Sequence, residues 1–338
     1  MIAAGLLIAV ALVSFLLAGL VRRYALARGA LDHPNERSSH LTPTPRGGGI
    51  AFVTAFLVGL AVAAALLPLE RGPVYAMVIA GLLVGFTGMR DDFHGLGVGA
   101  RLLVQFTAAV AAFWVLSGGE PASLFGTSAG ATWLFAAAGV FLLVWLVNLY
   151  NFMDGIDGIA AIEAITVGLG MTLVYLLDPR TGEAWLMPAL LAAGVAGFLP
   201  WNFPGARLFM GDVGSGFLGM VLGILALQGM MMDLGLLWAW LILLGVFIVD
   251  ASLTLIRRLL AGENVFRAHR GHAYQVAARR YGSHVPVSLA VGAINLLWLL
   301  PLAAWVASGG LAGPVGLLIA WTPLVALAVW FRADRVQA

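Results

Sequence analysis

Apolar runs of membrane-spanning length recur along this chain, and that repetition leaves few folds open to it. A helix crossing a bilayer needs roughly 20 consecutive apolar residues, within a range of about 17 to 25. Runs of that kind lie at 2–21, 48–68, 74–89, 102–117, 132–149, 159–177, 184–200, 214–231, 235–256, 286–306 and 314–331. The runs at 74–89 and 184–200 are short, and are rich in Gly or interrupted by Pro188. Composition agrees with lipid as the main solvent, at 62% hydrophobic and 10% charged residues and a mean hydropathy of +0.99. The expected fold is therefore all-α, a polytopic transmembrane helix bundle of about eleven spans forming one integral membrane domain over residues 1–338. The first run has neither a basic segment ahead of it nor a small-residue cleavage site, so it reads as a permanent span. The absence of cysteine excludes a disulfide framework and thiolate metal sites. A net charge of +2 gives no reason to expect a nucleic-acid partner.

Arginine, which supplies all 18 basic residues, orients the bundle. One alternate set of loops holds Arg22, Arg23, Arg28, Arg37, Arg46, Arg90, Arg101, Arg207, Arg257, Arg258, Arg267, Arg270, Arg279 and Arg280, with Arg332 and Arg335 in the tail. The opposite set holds only Arg71 and Arg180. Positive loops stay inside, so the N-terminus is expected outside and the C-terminus in the cytoplasm. All six histidines and Asp91, Asp92, Asp154, Asp157 and Asp212 fall on the inner side too. Chemistry is expected there, at the inner face of the membrane.

Five inner segments carry the polar groups. Residues 31–52 read LDHPNERSSHLTPTPRGGGIAF, in which Arg37, Ser38, Ser39 and Arg46 offer anion contacts beside the start of a helix. A solvated basic loop leading into small-residue helix packing is the alternative. Residues 88–101 read GMRDDFHGLGVGAR. The adjacent carboxylates of Asp91 and Asp92 point about 100° apart on a helix, so one can face a metal or phosphate while Arg90 or Arg101 holds the other. Helix capping by either is the plainer reading. Residues 148–163 read NLYNFMDGIDGIAAIE, with Asn148, Asn151, Asp154 and Asp157 three apart. That spacing puts successive polar groups side by side, and they are expected to face a water-accessible cleft rather than lipid. In the fourth segment, FMGDVGS, Asp212 projects from a tight turn, a setting that suits a Mg²⁺ ligand or a helix cap. The fifth, residues 257–284, places His269 and His272 three apart with Arg270 between them, a group suited to a diphosphate. A zinc site on His269, His272 and His284 has no thiolate and no obvious carboxylate partner to support it. Asp250 and Glu163 fall within apolar runs, where acids are functional candidates or packing glue.

Taken together, RSSH…PTPRGGG, DDFHGL, NLYNFMDGIDG, FMGDVGS and the His/Arg cluster resemble the polyprenyl-phosphate N-acetylhexosamine-1-phosphate transferase superfamily, over about Leu31 to Gln275. The segment AHRGHAYQ departs from the three-histidine pattern of the lipid I-forming branch and is more similar to the O-antigen initiating branch. The resemblance implies transfer of N-acetylhexosamine-1-phosphate from a UDP-sugar to undecaprenyl phosphate with release of UMP. It implies Mg²⁺, with Mn²⁺ as a substitute, held by Asp212, and Asp91 positioning or deprotonating the lipid phosphate. Asp92 would support Asp91 or the metal, with Asp157 in the same catalytic group. Asn151, Asp154 and Asp157 would line the nucleotide and metal site, with Asn148 a further substrate-binding residue. His269, Arg270 and His272 would hold the diphosphate or sugar. A homodimer is compatible with the resemblance. The competing reading is a membrane transporter for an anionic or nucleotide-sugar substrate, but transporters bind near the bilayer midplane, where only Asp250 and Glu163 could lie.

Overall fold

The structure, a computed structural model, describes residues 1–34, 42–120, 129–265 and 269–331, without the side chains of 129–132. Arg37, Ser38 and Ser39 lie outside the described residues. The expected all-α bundle is found. Helices α1 (Ile2–Arg28), α2 (Gly49–Leu66), α3 (Arg71–His94), α4 (Val98–Leu116) and α5 (Ala129–Met153) form the first part. Then come α6 (Ile159–Leu177), a 3₁₀ segment Pro179–Trp185, α7 (Leu186–Asn202) and α8 (Gly211–Met232). The last part is α9 (Leu234–Leu243), α10 (Gly245–Leu260), α11 (Ala273–Tyr281), α12 (Val285–Ile294), a π-helical turn Asn295–Leu299, α13 (Leu300–Ala307) and α14 (Gly313–Trp330). A two-residue pair, β1 (Leu31–Asp32) and β2 (Thr44–Pro45), joins antiparallel with Leu31 opposite Pro45. Ten described segments are long and apolar enough to cross a membrane, or eleven when the bent pair α9–α10 is one span. This is a multi-pass membrane protein.

Burial arranges these helices around α8. The apolar window of α8 is 94% buried within the protein, against 17% for α1 and 22% for α14, which turn their leucines and valines to lipid. Helix α8 packs against α3 and α5, while α1 lies on α2 and α7. Apolar side chains gain little by leaving lipid for a protein interior, so close backbone approach carries the packing here. Gly219 of α8 meets the backbone of Leu146 and Val147 on α5, where a side chain has no room.

Two spans differ from expectation. The run read as 74–89 extends to His94, so Asp91 and Asp92 stand on the last turn of α3 rather than in a loop. The continuous span expected at 235–256 is two helices meeting at Leu244 with a bend of 70°. Apolarity alone cannot report such a break, because the residues on both sides of Leu244 are apolar.

Candidate active site

Four helix ends meet on one side of the bundle: the C-termini of α3 and α5 and the N-termini of α4 and α8. Close approach brings α3 to α8, since Gly88 packs directly on the backbone of Asp212 and a Cβ would collide with it. The junction is then tied by Asp92. Its Oδ1 accepts from the backbone N–H of Asp212 at 3.0 Å and its Oδ2 from that of Val213 at 3.3 Å. Those amides belong to the first turn of α8, which has no partners within its own helix and carries the positive end of the helix dipole. Gly211, at φ 73°, makes the turn possible, and a Cβ on it would stand 2.6 Å from Asp92 Oδ2. Asp92 therefore holds the backbone that presents Asp212.

Asp91 and Asp212 face each other beneath this cap, within hydrogen-bonding reach. Asp91 Oδ1 accepts from Leu96 N at 2.5 Å, and its Oδ2 accepts from Arg101 Nη1 at 2.6 Å. The same Nη1 stands 3.5 Å from Asp212 Oδ2. Asn151 Nδ2 donates to Asp212 Oδ1 at 2.7 Å and approaches Ser215 Oγ at 3.3 Å. One turn back on α5, Asn148 donates to Gln105 Oε1 at 2.7 Å. Asp91, Arg101, Gln105, Asn148, Asn151 and Asp212 line a partly open cleft, whose remaining wall includes Val84, Val147 and Phe152. It is polar at the helix ends and apolar where it runs along the spans.

Asp91 and Asp212 set two carboxyl groups against one guanidinium, that of Arg101. That balance fits a divalent cation of the Mg²⁺ type, which takes one or two carboxylates and fills its remaining positions with phosphate oxygens and water. No group of three or more His, Cys, Asp or Glu among the described residues is arranged to hold a metal ion. The donors suit a cation that arrives with its substrate better than a closed protein cage. They give no support to zinc on His269, His272 and His284.

The expected series of four polar groups divides in two, because α5 ends at Met153. Asn148 and Asn151 stay on the helix beside the cleft, while Asp154 and Asp157 lie on the turn leading into α6. Burial, then the charges of Asp92 and Asp157, push the Asp154 carboxyl up to about 7. Asp157 is bound to structure: its Oδ2 accepts from Ala206 N at 3.0 Å and its Oδ1 stands 3.2 Å from His284 Nδ1. The backbone carbonyl of Asp157 accepts from Ser288 Oγ at 2.7 Å, and Gly158 N donates to Asn202 Oδ1 at 3.0 Å. The turn is thus braced from α7 and α12.

The histidine segment forms a further edge. His272 is 3% exposed and stands at the N-cap of α11, where its backbone N–H donates to Gln275 Oε1 at 3.3 Å. Its Nδ1 is 3.5 Å from Asp250 Oδ1 without a hydrogen bond. The rings of His269 and His272 stack at 4.9 Å. Arg270 lies between them, and its carbonyl accepts from Arg279 Nη2 at 3.1 Å. Asp250 proves to be a second helix cap, accepting from Ala273 N at 2.9 Å and Tyr274 N at 3.0 Å.

In the glycine-rich loop, Gly48 N donates to Phe209 O and Gly49 N to Met210 O, both at 2.8 Å, so these amides hold the segment entering α8. Arg46 reaches Asp32 at 3.2 Å. In the sequence Arg101 is only a possible partner for the paired aspartates, and nothing singles out Gln105. They lie on the helix after the aspartates, and no local spacing links them to Asp212, over a hundred residues on.

Fold and site together define a polytopic membrane protein with an acidic, cation-compatible cleft where its helices end. The sequence profile of glycosyl transferase family 4 matches residues 74–230, which span α3 to α8. The chain is 30% identical to the decaprenyl-phosphate N-acetylglucosaminephosphotransferase of Mycobacterium tuberculosis, over 86% of this chain and 78% of that protein. It is 28% identical to the undecaprenyl-phosphate alpha-N-acetylglucosaminyl 1-phosphate transferase of Thermotoga maritima, over 80% of this chain and 81% of that one. It is 32% identical to the phospho-N-acetylmuramoyl-pentapeptide-transferase of Desulforudis audaxviator, over 67% and 74%. The chain belongs to glycosyl transferase family 4, the membrane family of polyprenyl-phosphate hexosamine-1-phosphate transferases.

Proposed function

We propose that this protein transfers N-acetylhexosamine-1-phosphate from a UDP-sugar to undecaprenyl phosphate, releasing UMP and starting a lipid-linked cell-envelope glycan. The observation that carries the reading is the meeting of Asp91, Arg101, Asn151 and Asp212 at helix ends, in a cleft that is polar at one end and apolar along the spans. A prenyl phosphate presents the same division, with its charge at headgroup depth and its chain in lipid. Arginine in the adjoining loops supports a cytoplasmic mouth, where a soluble nucleotide-sugar arrives.

In the reaction an oxygen of the lipid phosphate forms a bond to the β-phosphorus of the donor. The bond from that phosphorus to the oxygen bridging it to the α-phosphate breaks, and UMP leaves with that oxygen. A phosphate monoester has a second pKa of about 6, so the nucleophile is largely ionised near neutrality. Asp91, committed to Leu96 N and Arg101, accordingly positions the nucleophile rather than taking a proton from it. Arg101 offers guanidinium charge to the phosphoryl oxygens, and Asn151 orients the Asp212 carboxylate. Asp212, with Asp91, would hold Mg²⁺ or Mn²⁺, whose charge offsets that of the diphosphate when bound. Asp154 and Asp157 belong to the nucleotide side, and His269, Arg270 and His272 to the sugar-diphosphate side.

Purified protein supplied with undecaprenyl phosphate, Mg²⁺ and a panel of UDP-N-acetylhexosamines should release UMP with at least one donor. Silence with all of them, in folded protein, overturns the reading.

A further inference from the structure

The break between α9 and α10 leaves a question that the cleft does not answer, namely what fixes the direction of α10 inside an apolar bundle. Glu163 stands on α6, is fully buried at 0% exposure, and has its Oε2 bonded by Asn295 Nδ2 at 2.7 Å. Asn295 begins the π-helical turn and reaches Thr166 Oγ1 at 2.8 Å as well. The backbone N–H of Phe247, in the first turn of α10, reaches the same carboxyl. Tyr150 of α5 closes the group, with its ring 5.0 Å from that of Phe247. Glu163 Oε1, Asn295 Oδ1 and Tyr150 Oη have no hydrogen-bond partner. A buried acid is costly, and apolar side chains would fill this space at less expense. What an acid adds is an acceptor for the amides that a broken helix exposes where no water can reach them.

Helix α10 leads from this group to the edge of the cleft. One turn beyond Phe247, Asp250 caps α11 through Ala273 N and Tyr274 N. Tyr274 Oη then donates to Phe152 O at 3.0 Å, docking α11 on the end of α5 next to Asn151. The N-cap of α11 is His272, with His269 stacked on it.

We infer that Glu163 is a positioning residue: by accepting at the start of α10 it sets the angle of the broken helix, and through Asp250 it holds the His269–Arg270–His272 segment at the cleft. The kinetic consequence rests on the phosphotransferase reading; the conformational one does not.

Because the chain has no cysteine, A100C at the start of α4 and R280C on α11 can carry a pair of spin labels in the full-length protein. Pulsed dipolar spectroscopy should give one narrow distance distribution in the labelled protein and in E163Q, whose side-chain oxygen still accepts. E163M, similar in length but without an acceptor, should broaden or shift it. UMP release should fall about tenfold or more in E163M and stay within about threefold in E163Q, given how steeply rate depends on placement. An unchanged distribution in E163M overturns the inference, as does an E163Q as disturbed as E163M. Should E163M fail to fold, N295L removes the partner that orients the carboxyl and is expected to broaden the distribution; a narrow one there overturns the inference equally. Absence of UMP release in the unsubstituted protein would instead count against the phosphotransferase reading, with the distances still deciding the role of Glu163.

Discussion

At the scale of single residues, the aspartates of this site are told apart by what already holds them. Asp212 accepts from Asn151 and keeps its other oxygen 3.5 Å from Arg101, so it has capacity left for a cation. D212N should lower UMP release by about 10²-fold or more while leaving thermal stability near that of the unsubstituted protein. Arg101 serves both Asp91 and Asp212, and a lysine supplies a point charge in place of a fork. R101K should retain a measurable rate and R101A much less, read from UMP release at saturating donor. Asp154 lends itself to a pH experiment. Its carboxyl is raised from 3.8 to about 7, so the folded state binds the proton more tightly than the unfolded state. The stability this provides is fully present below about pH 4 and is lost as pH rises to about 7, beyond which the cost stays constant. D154N does not titrate, so its melting temperature should exceed that of the unsubstituted protein by a margin that grows from pH 4 to 7 and then levels off. A margin independent of pH would contradict the assignment.

At the scale of elements, the site depends on helix ends held by acids from other helices. Asp92 caps α8 from α3, and Asp250 caps α11 from α10. Loss of a side-chain cap costs about 0.5–2 kcal/mol. D92A should therefore lower both the melting temperature and activity, whereas D212N should affect activity alone; circular dichroism melts beside the UMP assay separate the two. Most of these elements could be read in the sequence. The run at 159–177 coincides with α6, and the short run at 184–200 lies within two residues of α7. The caps could not be read, because adjacency of Asp91 to Asp92 says nothing about which one meets a distant helix. The same limit applies to the glycine-rich loop, whose Gly48 and Gly49 amides go to Phe209 and Met210, partners that no local spacing marks.

For the whole molecule, orientation in the membrane joins the site to its substrates. From the arginine bias, the cleft mouth and residues 269–272 are expected inside and Glu120 outside. A single cysteine at Glu120 should react with an impermeant maleimide on intact cells, and one at Gly271 only after the membrane is opened. The reverse pattern would put the cleft on the wrong side for a cytosolic nucleotide-sugar. Sequence by itself determined the helical, multi-pass character of this protein, since a bilayer allows a long apolar run few other backbones. It also marked four of the cleft's polar residues, Asp91, Asn148, Asn151 and Asp212, because such groups are rare in an apolar chain and conspicuous where they occur. Only tertiary structure decided which of them meet, that Arg101 stands between Asp91 and Asp212, and that the span after Met232 is broken. Those facts depend on which helices pack together, and packing among apolar helices is set by shape and small residues along their whole length, with little trace in the local spacing of any motif.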